Sequence, residues 1–391
     1  MQEALVNARI LIDGEFVADR AVVIEAGRIV ALPAIGDLPE GVARHDLGGA
    51  LLAPGFIDTQ VNGGGGVLFN DEPTVDGIAA IGAAHRRFGT TGFFPTLISD
   101  DLDVIREAVA ATDAAIAAGV PGVLGIHIEG PFLNRARKGI HRAEKIRTLD
   151  EEGFAVLITP ERGRTLVTLA PENTTPETIR RLVADGVTVA AGHTNATYEE
   201  AIAAMDAGLS GVTHLFNAMS PLAHRAPGMV GAALERAGIT CGIIVDGHHV
   251  APTTLKLALR CKPAESFMLV TDAMPTVGSD ATEFVLQGKP IFVRDGAVTD
   301  ADGTLAGSNL DMASAVRNAV EMLDVDLPTA IAMASIVPAT FMGVAQETGS
   351  IAVGKRADLV LLDERIEVLA TWIGGTFEQV EAPAGAAILH V

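Results

Sequence analysis

Eight short apolar runs recur between residues 55 and 271: GFIDTQV at 55–61, GFFPTL at 92–97, GVLGIHI at 122–128, TLVTLA at 165–170, VTVAAG at 187–192, GVTHL at 211–215, TCGIIV at 240–245 and FMLVT at 267–271. Apolar runs of this length suit strands covered on both faces, as in a parallel sheet. Helix signals fill the gaps. Thr175 reads as an N-cap with Pro176 at the first helical position, and Thr197 and Glu200 have capping-box spacing. NLDMASAVRNAVEMLD and PTAIAMASI follow the eighth run as further helices. Strand–helix alternation implies a parallel sheet, and eight units in about 250 residues is the size of a (β/α)8 barrel. A doubly wound open sheet is the competing arrangement, but no GxGxxG turn follows the first run.

Both ends of the chain have a different texture. ALVNARILIDG and EFVADRAVVIEAGRIVAL alternate apolar and polar residues between turns, and so does GSIAVGKRADLVLLDE near the C-terminus. The expected fold is therefore α/β: a (β/α)8 TIM barrel over 53–349, with a small β-sandwich domain built from both chain termini, 1–52 and 350–391. The segment 283–307 interrupts the pattern after the eighth run. It reads as a hairpin turning at Asp295-Gly296, inserted near the barrel mouth.

The formal charge of −21 argues against nucleic acid or an anionic membrane surface as partner. An anionic substrate would need a local basic pocket. Cys241 and Cys261 lack CxxC spacing and read as two buried thiols in a reducing compartment. The N-terminus has no basic region followed by an apolar run, and no stretch of about 18 unbroken apolar residues occurs. A soluble cytoplasmic protein is expected.

Acidic and histidine residues cluster where the apolar runs end. Glu129 closes GIHIE, His193 follows VAAG, His214 lies in GVTHL, His249 follows IIVDGH, and Asp272 follows MLVT; His141 comes shortly after the third run. In a barrel, strand ends pointing one way bring such residues around one point. Catalytic zinc takes three His or carboxylate ligands and keeps a position for water, a description that Glu129, His193 and His214 fit. Each histidine alone would more often be structural; together at strand ends they favour ligation. Asp272 suits a general base that takes a proton from an activated water, and its bland alternative is a helix cap or an arginine partner. Arg225 sits in SPLAHRAPG, where a guanidinium could bind phosphate bidentately or simply be solvated. His248 and His224 flank these motifs, while His45, His85 and His390 have no such neighbours.

At these residues the chain resembles the N-acetylglucosamine-6-phosphate deacetylase family of the amidohydrolase superfamily. The resemblance runs through PGFIDTQVNG, HIEGPFL with KGIH, AGHTNA, THLFNAMSPLAHRAPG, DGHHV, VTDAM, LAGSNLDM and GSIAVGKRADLVLLD. HIEGPFL and HLFNAMSPLAHRAPG are the specific parts, since the first and last segments are common to many amidohydrolases. The resemblance implies that Glu129, His193 and His214 bind one divalent metal per subunit, Zn2+ or else Fe2+, Co2+ or Mn2+. It implies that Asp272 is the catalytic acid–base and that His141 stabilises the oxyanion. Asn217, Ala218, Arg225 and His249 would hold the sugar phosphate, His249 from either subunit of a homodimer. Asp246 and Leu305, Ala306 and Gly307 would line the substrate. The implied reaction is deacetylation of N-acetylglucosamine-6-phosphate.

One departure bears on the metal count. Many amidohydrolases carry His-x-His at the end of the first strand for a second metal, whereas this chain has Gln60-Val61-Asn62. Amides are weaker zinc ligands than imidazole, so one metal is expected, with these amides as polar filling. A cyclic amidase of the same superfamily and a scaffold without chemistry are the rival readings. Glu129 in place of a carboxylated lysine counts against the first, and the intact donor set counts against the second.

Overall fold

The computed structural model describes residues 2–380; Met1 and residues 381–391, with His390 and the last part of the expected C-terminal β segment, lie outside the described residues. All eight apolar runs are strands: β1 (Phe56–Val61), β2 (Thr90–Ile98), β3 (Gly125–Glu129), β4 (Arg164–Leu169), β5 (Thr188–Ala191), β6 (Gly211–Val212), β7 (Thr240–Ile243) and β8 (Phe267–Leu269). They pair in parallel in chain order. The ring closes just past β8. Asp272 N–H donates to the Gln60 carbonyl at 3.0 Å and Asn62 N–H to the Ala273 carbonyl at 2.9 Å. Helices cover the outside, as the (β/α)8 architecture requires. Thr175 caps the helix Pro176–Ala184, and the capping box of Thr197 and Glu200 starts Tyr198–Asp206.

The alternation along β3 shows how the barrel is filled. Ile126 and Ile128 point out and join the main apolar core under the helices. His127 and Glu129 point in. His127 lies in a polar layer, with Nε2 2.8 Å from Thr168 Oγ1 and Nδ1 3.3 Å from Thr96 Oγ1. Glu129, two residues on, emerges above that layer at the mouth.

The terminal segments form two further sheets. One has four strands in the order Arg28–Ala31, Val22–Glu25, Glu3–Val6, Ala43–Asp46. The other has six and interleaves the chain ends: Leu359–Leu362 pairs antiparallel with Leu51–Pro54. Leu5, Val22, Ile24 and Ile29 from the first sheet pack with Ile10, Leu52, Leu359, Leu361 and Trp372 from the second, which makes a sandwich.

The expected hairpin is the centre of a larger meander. Glu283–Leu286, Lys289–Arg294, Ala297–Asp300 and Leu305–Ser308 form a four-stranded antiparallel sheet. Its two-residue turns, Gln287-Gly288 and Asp295-Gly296, have positive φ at both positions, as type I′ turns require. One cysteine expectation needs correction. Cys241 is buried, but Cys261 is exposed, because it ends the helix Pro252–Cys261 on its outward side.

Candidate metal centre and active site

Four of the expected residues sit where the chain leaves a barrel strand, and three of them have left-handed backbone. His193 has φ 48°, His214 φ 33° and Asp272 φ 53°. Non-glycine residues adopt this region at a cost of order 1 kcal/mol or more each, and such residues gather at functional sites. Here the conformation turns each side chain back over the barrel axis. Gly307 belongs to the same arrangement: at φ 69°, a Cβ there would lie 2.8 Å from the Asp272 carbonyl oxygen.

The turned side chains converge. His193 Nε2 lies 3.2 Å and His214 Nε2 3.0 Å from Glu129 Oε1, and the two Nε2 atoms are 3.1 Å apart. All three residues are buried, and they form a group able to hold a metal ion. His193 Nδ1 donates to the Arg137 carbonyl at 2.9 Å, so a neutral ring presents a lone pair at Nε2. Protons on these nitrogens can tie the rings to the carboxylate when no metal is bound, and a cation seated among the three donors would take their place. The spacing fits one. Donors at about 2.0–2.1 Å from a tetrahedral zinc stand about 3.3 Å apart. The donor set suits zinc, iron, cobalt or manganese alike.

The electrostatics separate the two carboxylates. Burial by itself would raise the Glu129 carboxyl, but hydrogen bonds from His193 and His214 hold it well below its usual range. Burial, and then the charge of Glu129, push Asp272 up to about 6. Asp272 Oδ1 accepts from Asn62 Nδ2 at 2.6 Å and from Gln60 Nε2 at 3.1 Å. The Gln60 amide also reaches both Glu129 oxygens at 3.3 Å. Gln60 and Asn62 thus act as donors to the two carboxylates, the polar filling their sequence position suggested. Burial pushes the His141 imidazole down to about 3, which keeps it neutral, and its ring packs edge-on to His193 at 4.4 Å.

A cavity of about 340 Å³ opens over this group. Its walls include Asp272, His141, Asn217, Ala218, His249, Leu305 and Gly307, together with the three metal-type ligands. Asp246 does not line it but accepts from His249 Nδ1 at 2.7 Å and fixes that ring. Ala306, on the meander's last strand, is fully buried between its two lining neighbours. Arg225 does not line the cavity; it lies on the exposed loop 221–226. Sequence reading missed Arg137, Gly139, Ile140 and Met274 on the same wall. Gly139 and Ile140 lie in KGIH and Met274 in VTDAM, while the one signal for Arg137 was its place between HIEGPFL and KGIH.

Comparisons with known proteins place this geometry in context. A model of the amidohydrolase family matches residues 51–380, and a model of the NagA composite domain matches residues 4–52. The chain is 45% identical over 373 residues to an N-acetylgalactosamine-6-phosphate deacetylase of Shewanella sp., covering 94% of each chain. Among solved structures it is similar to N-acetylglucosamine-6-phosphate deacetylase from Pasteurella multocida, with a TM-score of 0.94 and 37% identity over 97% of this chain and 100% of that one. It also matches a variant of N-acetyl-D-glucosamine-6-phosphate deacetylase from Mycobacterium smegmatis in complex with N-acetyl-D-glucosamine-6-phosphate, with a TM-score of 0.89 and 35% identity over 96% and 99% of the two chains.

Proposed function

The chain belongs to the amidohydrolase family, and from that premise we propose that it hydrolyses N-acetylglucosamine-6-phosphate to glucosamine-6-phosphate and acetate. The observation that carries this reading is the meeting of Glu129, His193 and His214 with Asp272 and His141 around one cavity. Similarity to named deacetylases over nearly the whole chain supports the substrate class.

A divalent cation at Glu129, His193 and His214 would supply Lewis acidity, lowering the pKa of the attacking water and polarising the acetyl carbonyl. Asp272 takes the proton from that water, a task suited to a carboxyl near 6. His141 donates a hydrogen bond to the acetyl oxygen as it gains charge. Asp272 then gives its proton to the departing nitrogen, so the C–N bond breaks to a neutral amine. Asn217 Nδ2 donates to the His214 carbonyl at 3.1 Å, which leaves its side-chain oxygen for the sugar. His249, held by Asp246, takes the phosphate in this cavity, and Arg225, which does not line it, would join from a second copy of the chain. Anchoring the substrate there orients the amide far from the anchor.

We take the ion to be one zinc per subunit and the protein to work as a cytoplasmic homodimer. Among the described residues, no helix is long and apolar enough to cross a membrane. The loop 221–226 presents Arg225 beside Leu222, which is 59% exposed, and a second copy would give both a place. The test is acetate release from N-acetylglucosamine-6-phosphate, its galactosamine epimer and unphosphorylated N-acetylglucosamine. The phosphorylated glucosamine compound should be turned over with the highest kcat/KM. Arg225→Ala should raise KM for phosphorylated substrate alone; equal loss on both forms would refute a phosphate role for Arg225.

A further inference from the structure

We propose that Ser99 and Gln287 are positioning residues for this hydrolysis, holding His141 in the tautomer that carries its proton on Nε2. The inference rests on the reading of His141 as donor to the acetyl oxygen. A neutral imidazole has one N–H and one lone pair, and only the N–H can serve an oxyanion. The structure decides which nitrogen has it. Ser99 backbone N–H lies 3.3 Å from His141 Nδ1, and a backbone N–H can only donate. Nδ1 is therefore the acceptor, and the Ser99 hydroxyl, 2.8 Å away, donates to it as well. The proton is left to Nε2 of a ring that lines the cavity.

Ser99 is itself immobilised from two sides. It directly follows β2 and is 1% exposed. Its hydroxyl occupies the space beside the turn after Glu129: a Cβ on Gly130 would come within 2.2 Å of Ser99 Oγ. The metal-ligand turn and His141 therefore share one fixed contact. From the other side, Gln287 Nε2 donates to the Ser99 carbonyl at 2.9 Å. Gln287 stands in the first type I′ turn of the meander at φ 48°, a position that favours Asn, Asp or Gly. A glutamine bears that strain where its longer side chain can reach into the barrel mouth. The meander is anchored over the same spot, with Leu286, Ile291 and Val298 packed against Ile98 and Met274. The inserted sheet thus helps set the orientation of the His141 imidazole through Ser99.

The test uses the metal-loaded full chain. Ser99→Ala should lower kcat on the order of tenfold while KM stays within about twofold, because the loss falls on the transition state. Gln287→Ala should lower kcat about threefold, and Gln287→Glu, which cannot donate, should match it. In a His141→Asn background neither change should cost more, since both act through His141. The side-chain 15N spectrum should show His141 with a pyrrole-type Nε2 and a pyridine-type Nδ1, assigned by its disappearance in His141→Asn. Equal losses from Ser99→Ala in both backgrounds, or a proton on Nδ1, would overturn the proposal. Unchanged kcat in His141→Asn itself would overturn the role of His141 first, and the positioning argument with it.

Discussion

Glu129, which is buried, and Asp272, which is half-buried, are carboxylates of one pocket, and their neighbours drive them apart. Two imidazoles keep the first ionised, while burial and the charge of the first lift the second to about 6. Environments that separate a pair of acids assign their roles. On the proposed reading, Glu129 would serve as the ligand and Asp272 as the proton carrier. Asp272→Asn should fold and bind metal as the wild type does while kcat falls by at least about a hundredfold; near-normal kcat would show that another group moves the proton. A third carboxyl, fully buried, makes a separate prediction. Burial lifts Asp58 from 3.8 to about 7, against hydrogen bonds from Thr271 and Gln60. Between those values the folded chain keeps a proton that the unfolded chain has lost. Stability should therefore fall as pH rises from about 4 to 7, by up to an order of 4 kcal/mol, and stay level above. Denaturant titrations of Asp58→Asn should show a flatter profile over that window.

At the scale of elements, the barrel strands and several helices were legible because each has a local cause. The eight apolar runs became the eight strands in order, and the Thr175 and Thr197 caps stand where the sequence put them. Glu129, His193, His214 and Asp272 were legible because strand ends are marked in the sequence. Ser99 and Gln287 were not, since a serine after a strand and a glutamine in a turn carry no signal until the tertiary fold brings them 188 residues of chain together. The meander was half legible: its Asp295-Gly296 turn was plain, but Gln287-Gly288 hides its turn behind an unusual residue. Cys261 was misread because helix-end exposure depends on which way the last turn faces. The capping box offers a check confined to one element. Thr197→Ala removes the cap on Tyr198–Asp206 and should cost about 1 kcal/mol of stability with kcat unchanged. A lowered kcat would tie that helix to the His193 turn.

For the whole molecule, the barrel and the terminal sheets are fastened by a buried arginine. We propose that 1–52 and 350–391 act as one small domain, and Arg86 is its clamp to the barrel. Arg86 Nε donates to Thr371 Oγ1 at 2.9 Å and Nη2 to the Thr376 carbonyl at 2.7 Å, while Nη1 pairs with Glu378 at 3.0 Å. Arg86→Ala strips the buried Thr371 hydroxyl of its donor and removes bonds to the more exposed Thr376 and Glu378, at about 1–3 kcal/mol. A clear loss of Tm with little change in kcat is the expected result. The proposed chemistry needs one cation held by three side chains from separate strands. Its most direct test is metal content measured on the same sample as acetate release, before and after chelation. One divalent ion per chain is expected, lost together with activity on chelation and restored with it, and absent from a Glu129→Ala, His193→Ala double variant. A chain stripped of metal that still released acetate at the full rate would contradict it.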